Sequence, residues 1–162
     1  MNGYFYILTT IDLFVLSFMC ILTKVSESLN YKQKRGFFFA FILIATISLL
    51  EVVTIVVDGA PAKYRWLNIL SNYLGFGLSP AVAVCLAYVL DKKPGLKLKM
   101  KIAIYCEIVY LIFLALSIPS GIVFSVSKEN IYARGPYFYI YVLMYFMAIV
   151  YLSASTISTS KA

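Results

Sequence analysis

The sequence predicts an all-α polytopic membrane protein, a bundle of five transmembrane helices with the N-terminus outside and the C-terminus in the cytoplasm. Three observations predict it. The chain is 62% hydrophobic and 13% charged, a balance that excludes a disordered chain and is foreign to soluble domains. Its apolar residues gather into five runs, each near the roughly 20 residues that cross a hydrocarbon core of about 30 Å. Its 14 Lys and Arg, against 7 Asp and Glu, sit in short clusters between those runs. There they set membrane orientation, and nucleic acid is not an expected partner.

The runs fall at residues 4–23, 36–57, 66–90, 102–125 and 137–159 of a single domain, 1–162. The first reads as a helix whose inner face is Phe5, Thr9, Asp12, Leu16, Met19 and Thr23, spaced alternately by four and three. It lacks the basic start and small-residue cleavage site of a signal peptide. In the second, the same spacing joins Phe41, Ile44, Ser48, Glu51 and Ile55. In the fourth it joins Ala103, Glu107, Tyr110, Leu114, Ser117 and Gly121, and the fifth stacks Tyr137, Tyr141, Tyr145, Ala148 and Ser155. Ten basic residues lie on the side of the first and third connections: Lys24, Lys32, Lys34, Arg35, Lys92, Lys93, Lys97, Lys99, Lys101 and Lys161. Four lie on the other side: Lys63, Arg65, Lys128 and Arg134. The positive-inside rule then gives the orientation.

The third run organises the rest. Trp66 marks its water end, and Asn68, Ser71, Asn72, Gly75, Ser79, Ala83 and Ala87 share one half of the helix. Ser71, Gly75, Ser79, Ala83 and Ala87 form an i, i+4 ridge of small residues, the feature that lets helices approach closely in lipid. Pro80 removes a backbone donor, so the carbonyl it strands must be satisfied by a neighbour.

Three carboxylates, Asp12, Glu51 and Glu107, fall within spans, where charge is costly enough that each is expected to face the bundle. Counted from the outer ends, Asp12 and Glu51 lie roughly 10–12 Å deep, and Asn72 roughly 9 Å below Trp66. They are expected to share a polar layer, read either as a clamp between helices or as a ligand or proton site. Glu107, near the inner end, reads as a carboxylate reaching toward Lys24 or the third-connection lysines, or as functional. Asn68, Tyr141 and the surface residue Arg134 complete the candidate ligand contacts. Cys20, Cys85 and Cys106 read as small buried hydrophobes. With no histidine and no CxxC pair, neither a metal site nor a cofactor is expected. No catalytic triad, phosphate loop or HExxH motif is present, so no enzymatic activity is expected.

The stretches Leu67-Asn68-Ile69-Leu70-Ser71-Asn72-Tyr73-Leu74-Gly75-Phe76-Gly77-Leu78-Ser79-Pro80 and Glu129-Asn130-Ile131-Tyr132-Ala133-Arg134-Gly135-Pro136-Tyr137-Phe138 resemble the multi-helix N-terminal sensor region of Gram-positive bacterial diguanylate cyclases. That region is similar to the seven-helix N-terminal module of certain histidine kinases. The resemblance implies a signal-input module of the cytoplasmic membrane that hands a cue to a cytoplasmic GGDEF output domain. No GGDEF motif occurs in these 162 residues, so the chain reads as the input module without its output domain, and no cyclase activity carries over. The expected partners are the bilayer, that output domain, an unidentified small ligand and, as one assembly open to it, a second copy in a homodimer. The readings from other classes are a small transporter or channel subunit and a structural membrane partner protein.

Overall fold

The computed structural model describes residues 2–90 and 98–160. Five helices dominate: α1 (Asn2–Val25), α2 (Tyr31–Val57), α3 (Arg65–Leu90), α4 (Leu98–Ser117) and α5 (Tyr139–Ser160). All five are long and apolar enough to cross a membrane. A single 3-10 turn, Ala62–Tyr64, leads into α3. Between α4 and α5 lies an antiparallel β-hairpin, β1 (Phe124–Val126) and β2 (Tyr132–Arg134), paired with Ser125 opposite Ala133.

The chain is all-helical as expected, with five long apolar helices, apart from this short hairpin. The hairpin corrects one boundary: the fourth span runs from Leu98 to Ser117 instead of over 102–125. Pro119 and Gly121 stop the helix, Gly121 at φ +64°. The segment Phe124–Val126, with an aromatic and a β-branched residue at its ends, then forms the first strand of the ladder instead. Gly121 therefore sits in a turn and not on a helix face. At the other end of the bundle, α2 starts five residues before the expected boundary. Asn30 caps it reciprocally with Gln33, so Lys32, Lys34 and Arg35 ride on its first turns.

α3 is the hub, packed against α2, α5 and α4, while α1 leans on α2. That peripheral seat explains why α1 buries only a narrow stripe. Thr23 is buried and Phe5, Thr9, Leu13, Leu16 and Cys20 are half-buried. Phe5, Thr9, Leu16 and Thr23 lie on the stripe as expected, but Leu13 and Cys20 take the places of Asp12 and Met19, which are exposed. Contacts across the helices fix which ends belong together. The Lys32 ammonium lies 4.5 Å from the centre of the Tyr88 ring, and a side chain at Gly36 would strike Val89. The start of α2 and the end of α3 thus form one basic end, and the hairpin marks the opposite end. Lys92, Lys93, Lys97 and Lys161 lie outside the described residues.

The small-residue ridge of α3 does two different jobs. Ala83 and Ala87 are buried in contact. Around the position of a Cβ on Gly75 there is no atom within 4 Å, because this half of the ridge borders open space. The close approach nearby is made by Gly77, where a Cβ would come within 2.5 Å of Leu111. Pro80 strands the Phe76 carbonyl, and the Tyr110 hydroxyl of α4 reaches it at 3.5 Å.

Candidate functional site

The hairpin end is tied by a buried polar knot. Asn68 and Asn130 are each 0% exposed, so their amides must be satisfied within the protein. Asn68 donates from Nδ2 to Asn130 Oδ1 at 3.0 Å and to Asp58 Oδ1 at 3.3 Å. Asn130 donates in turn to the carbonyls of Val57 and of Ala60, the latter at 3.0 Å. Its own carbonyl accepts from Gly59 N at 2.8 Å. Asp58 Oδ1 also accepts from Tyr132 N at 2.7 Å. Asn130 holds φ +63°, a conformation that asparagine tolerates better than most side chains. Arg65 adds a brace, donating from Nε and Nη2 to the Val126 carbonyl and from Nε to that of Ser127.

Asn72 continues the knot one turn down α3, donating to the carbonyl of Asn68 at 2.9 Å and to its Oδ1 at 2.8 Å. Below it opens a cavity of about 190 Å³, lined by side chains of α2, α3 and α5. Its polar lining is Glu51, Thr54, Ser71, Asn72, Ser79 and Tyr141. Most of these are already engaged. The hydroxyls of Ser71 and Ser79 donate to the carbonyls four residues back, at 2.7 and 2.6 Å. Thr54 donates to the Glu51 carbonyl at 2.7 Å, and Tyr141 pairs with Ser79. The Glu51 carboxylate is different. It stands exposed at the cavity mouth and makes no hydrogen bond or ion pair among the described residues.

An aromatic wall closes the cavity toward the hairpin. Phe76 centres it, with ring centroids 4.8 Å from Tyr141, 5.5 Å from Phe138 and 5.6 Å from Phe124. One cluster therefore touches α3, the hairpin and α5 together.

Of the expected ligand contacts, Glu51, Asn72 and Tyr141 meet at this cavity, and Asn68 sits in the knot above it. Asp12 does not join them, since its face of α1 turns away from α2. Arg134 is also elsewhere. It is exposed on β2, its guanidinium 4.8 Å from the Phe138 ring centre and hydrogen-bonded to Tyr132. Burial raises the Tyr132 phenol above its ordinary range, and the nearby Arg134 charge partly offsets this. Among the described residues Glu107 pairs with no lysine. It is buried, 8% exposed, and turns into a second crevice on the other side of α5. Cys106 is exposed rather than buried. Asp58, Arg65 and Asn130 were missed as site residues. The turn-forming pairs Asp58-Gly59 and Glu129-Asn130 were the only signal for two of them.

The fold and site define a five-helix bundle of membrane-crossing hydropathy, with a polar cavity under a knotted cap. Comparison with protein-family models, with curated proteins and with solved structures finds no match.

Proposed function

We propose that this chain is the signal-input module of a bacterial membrane receptor, of the diguanylate cyclase or histidine kinase type, multi-pass in the cytoplasmic membrane. The observation that carries the reading is the unpartnered Glu51 carboxylate at the mouth of a cavity shared by α2, α3 and α5. A small polar solute held there would exchange hydrogen bonds with Glu51, Asn72 and Tyr141. It biases the packing of α5 only if it binds two arrangements of that helix unequally. The Phe76 cluster supports α5 as the moving part, because it joins the cap to that helix directly.

The test is a fusion of the chain to an active cyclase domain, with output followed against external pH. Glu51→Gln removes the charge, and Gly75→Leu fills the cavity from a position with room for a side chain. Each is expected to change output by about fivefold or more at unchanged membrane abundance, the lower end of ordinary coupling between sites. Wild-type responses from both variants at normal abundance would remove the cavity as the receiving site.

The proposed orientation puts the hairpin end outside. Lys24, Lys32, Lys34, Arg35, Lys99 and Lys101 gather at the other end, whereas Arg65 at the hairpin end is spent on backbone carbonyls. In a background without native cysteines, a cysteine at Lys128 is expected to react with an impermeant thiol reagent on intact cells, and one at Lys34 to stay protected. Labelling in the reverse pattern inverts the topology.

A further inference from the structure

The second crevice has a volume of about 300 Å³ and lies between α4 and α5, floored by Val84 of α3. Its lining is almost wholly apolar, with Ile102, Ala103, Met144, Met147 and Ala148 prominent. Into this lining projects Glu107, whose Oε1 is buried and has no hydrogen-bond partner. The groups that could satisfy it are occupied or distant. The Tyr110 hydroxyl goes to the Phe76 carbonyl, and that of Tyr151 to Met100 Sδ at 3.6 Å. Lys99, at the basic mouth of the crevice, is eight residues before Glu107 on the same helix, about 12 Å along the axis.

A buried carboxylate oxygen without a partner is costly enough to need an explanation. We propose that the crevice binds a small amphiphilic organic cation, an amine or quaternary ammonium whose charge meets Glu107 and whose apolar body lies along Met144, Met147 and Ala148. The lining selects this class. A hard metal ion needs several oxygen ligands, and the crevice offers one carboxylate. A neutral apolar guest would leave Glu107 as it stands. Methionine sulfur and the Tyr151 ring are favourable company for an alkylammonium. The volume is at the small end of ligand pockets, which run to about 300–1,000 Å³. This site stands apart from the Glu51 cavity and does not depend on the role given to it.

The test is equilibrium dialysis of the full chain in lipid nanodiscs against benzyltrimethylammonium, with empty nanodiscs subtracted. Neopentylbenzene, the same shape with carbon in place of the charged nitrogen, is the neutral comparison. Saturable binding of the cation is expected, at least about tenfold weaker in Glu107→Gln and unchanged in Glu51→Gln. Ala103→Leu, which keeps the carboxylate and narrows the crevice, is expected to weaken it as well. It serves as the second arm if Glu107→Gln folds poorly by thermal melt. No saturable binding to the wild type, equal binding by a folded Glu107→Gln or, where that variant folds poorly, by Ala103→Leu, or equal binding of neopentylbenzene overturns the proposal.

Discussion

Replacing Asn130 with alanine is expected to cost about 3 kcal/mol of stability. The change removes the donor of the Ala60 carbonyl and one of the bonds held by the Val57 carbonyl and by the buried Asn68 amide; a buried polar group left unpaired costs about 1–3 kcal/mol and a lost bond about 0.5–1.5 kcal/mol. It also forces alanine into the left-handed region that Asn130 occupies, at about 1 kcal/mol. The lost contacts are shared among groups that relax together, so the sum falls short of full additivity. The measurement is the thermal midpoint in detergent, with a drop of about 6–12 °C at the usual 2–4 °C per kcal/mol for a chain of this size. Asn130→Gly separates the two causes. It keeps the backbone conformation free and loses the side-chain bonds, so it is expected to recover only the smaller part. A midpoint for Asn130→Ala within 2 °C of wild type would falsify the knot as the tie between cap and bundle.

Gly135→Ala is expected to be comparably damaging for a different reason. A Cβ there would run into the backbone carbonyls of Gly121 and Ile122, and backbone cannot swing aside as a side chain can. The same segment is pinned on both flanks, with Gly135 N donating to the Val123 carbonyl at 2.8 Å and Tyr137 N to that of Ile122 at 3.0 Å. Relief of the clash therefore separates β2 from the turn before β1 and tilts the start of α5. Overpacking of this kind costs about 1–3 kcal/mol and sometimes more, here at the upper end. Gly59→Ala is the informative contrast. Gly59 has φ +72° but open space around it, so only the conformational penalty of about 1 kcal/mol applies. Equal midpoints for the two variants would show that the close approach at Gly135 carries no weight.

Helix number and most of the buried faces were legible because a single physical constraint, apolar length against bilayer thickness, writes them into each run. The face Glu107, Tyr110, Leu114 and Ser117 on α4 is buried as its spacing indicates. The hairpin was hidden inside the same constraint. Val123, Phe124 and Val126 are as apolar as helix residues, and only Pro119 and Gly121 betray the change of structure. Asp12 went astray because a helix with one neighbour buries a narrow stripe, where an error of one residue, about 100°, turns a side chain outward. Depth arithmetic and helical phase put Glu51 and Asn72 in one layer, together with Asp12, which the structure leaves out; Tyr141, a candidate contact on other grounds, joins the first two at the cavity. The role of Asn130 was not legible, because its partners lie 62 to 73 residues away and no local pattern records such pairings. Gly75 shows the limit of reading a small residue as a contact. The same absence of a side chain that permits close packing also makes room, and only the neighbours decide which.

The pairing of Asn68 with Asn130 has a consequence for the chain during its synthesis. Sixty-two residues separate them, and at the usual 5–20 residues per second the ribosome needs roughly 3–12 s to deliver the second after the first. Throughout that interval α2 and α3 can already dock, yet the amide of Asn68 has only Asp58 to hold, and the Ala60 carbonyl waits for its donor. The nascent two-helix unit is therefore an incomplete structure with polar groups turned toward a vacant seat. Arrival of the hairpin completes it, so the cap acts as a latch that closes over the α2–α3 pair before α5 docks on α3.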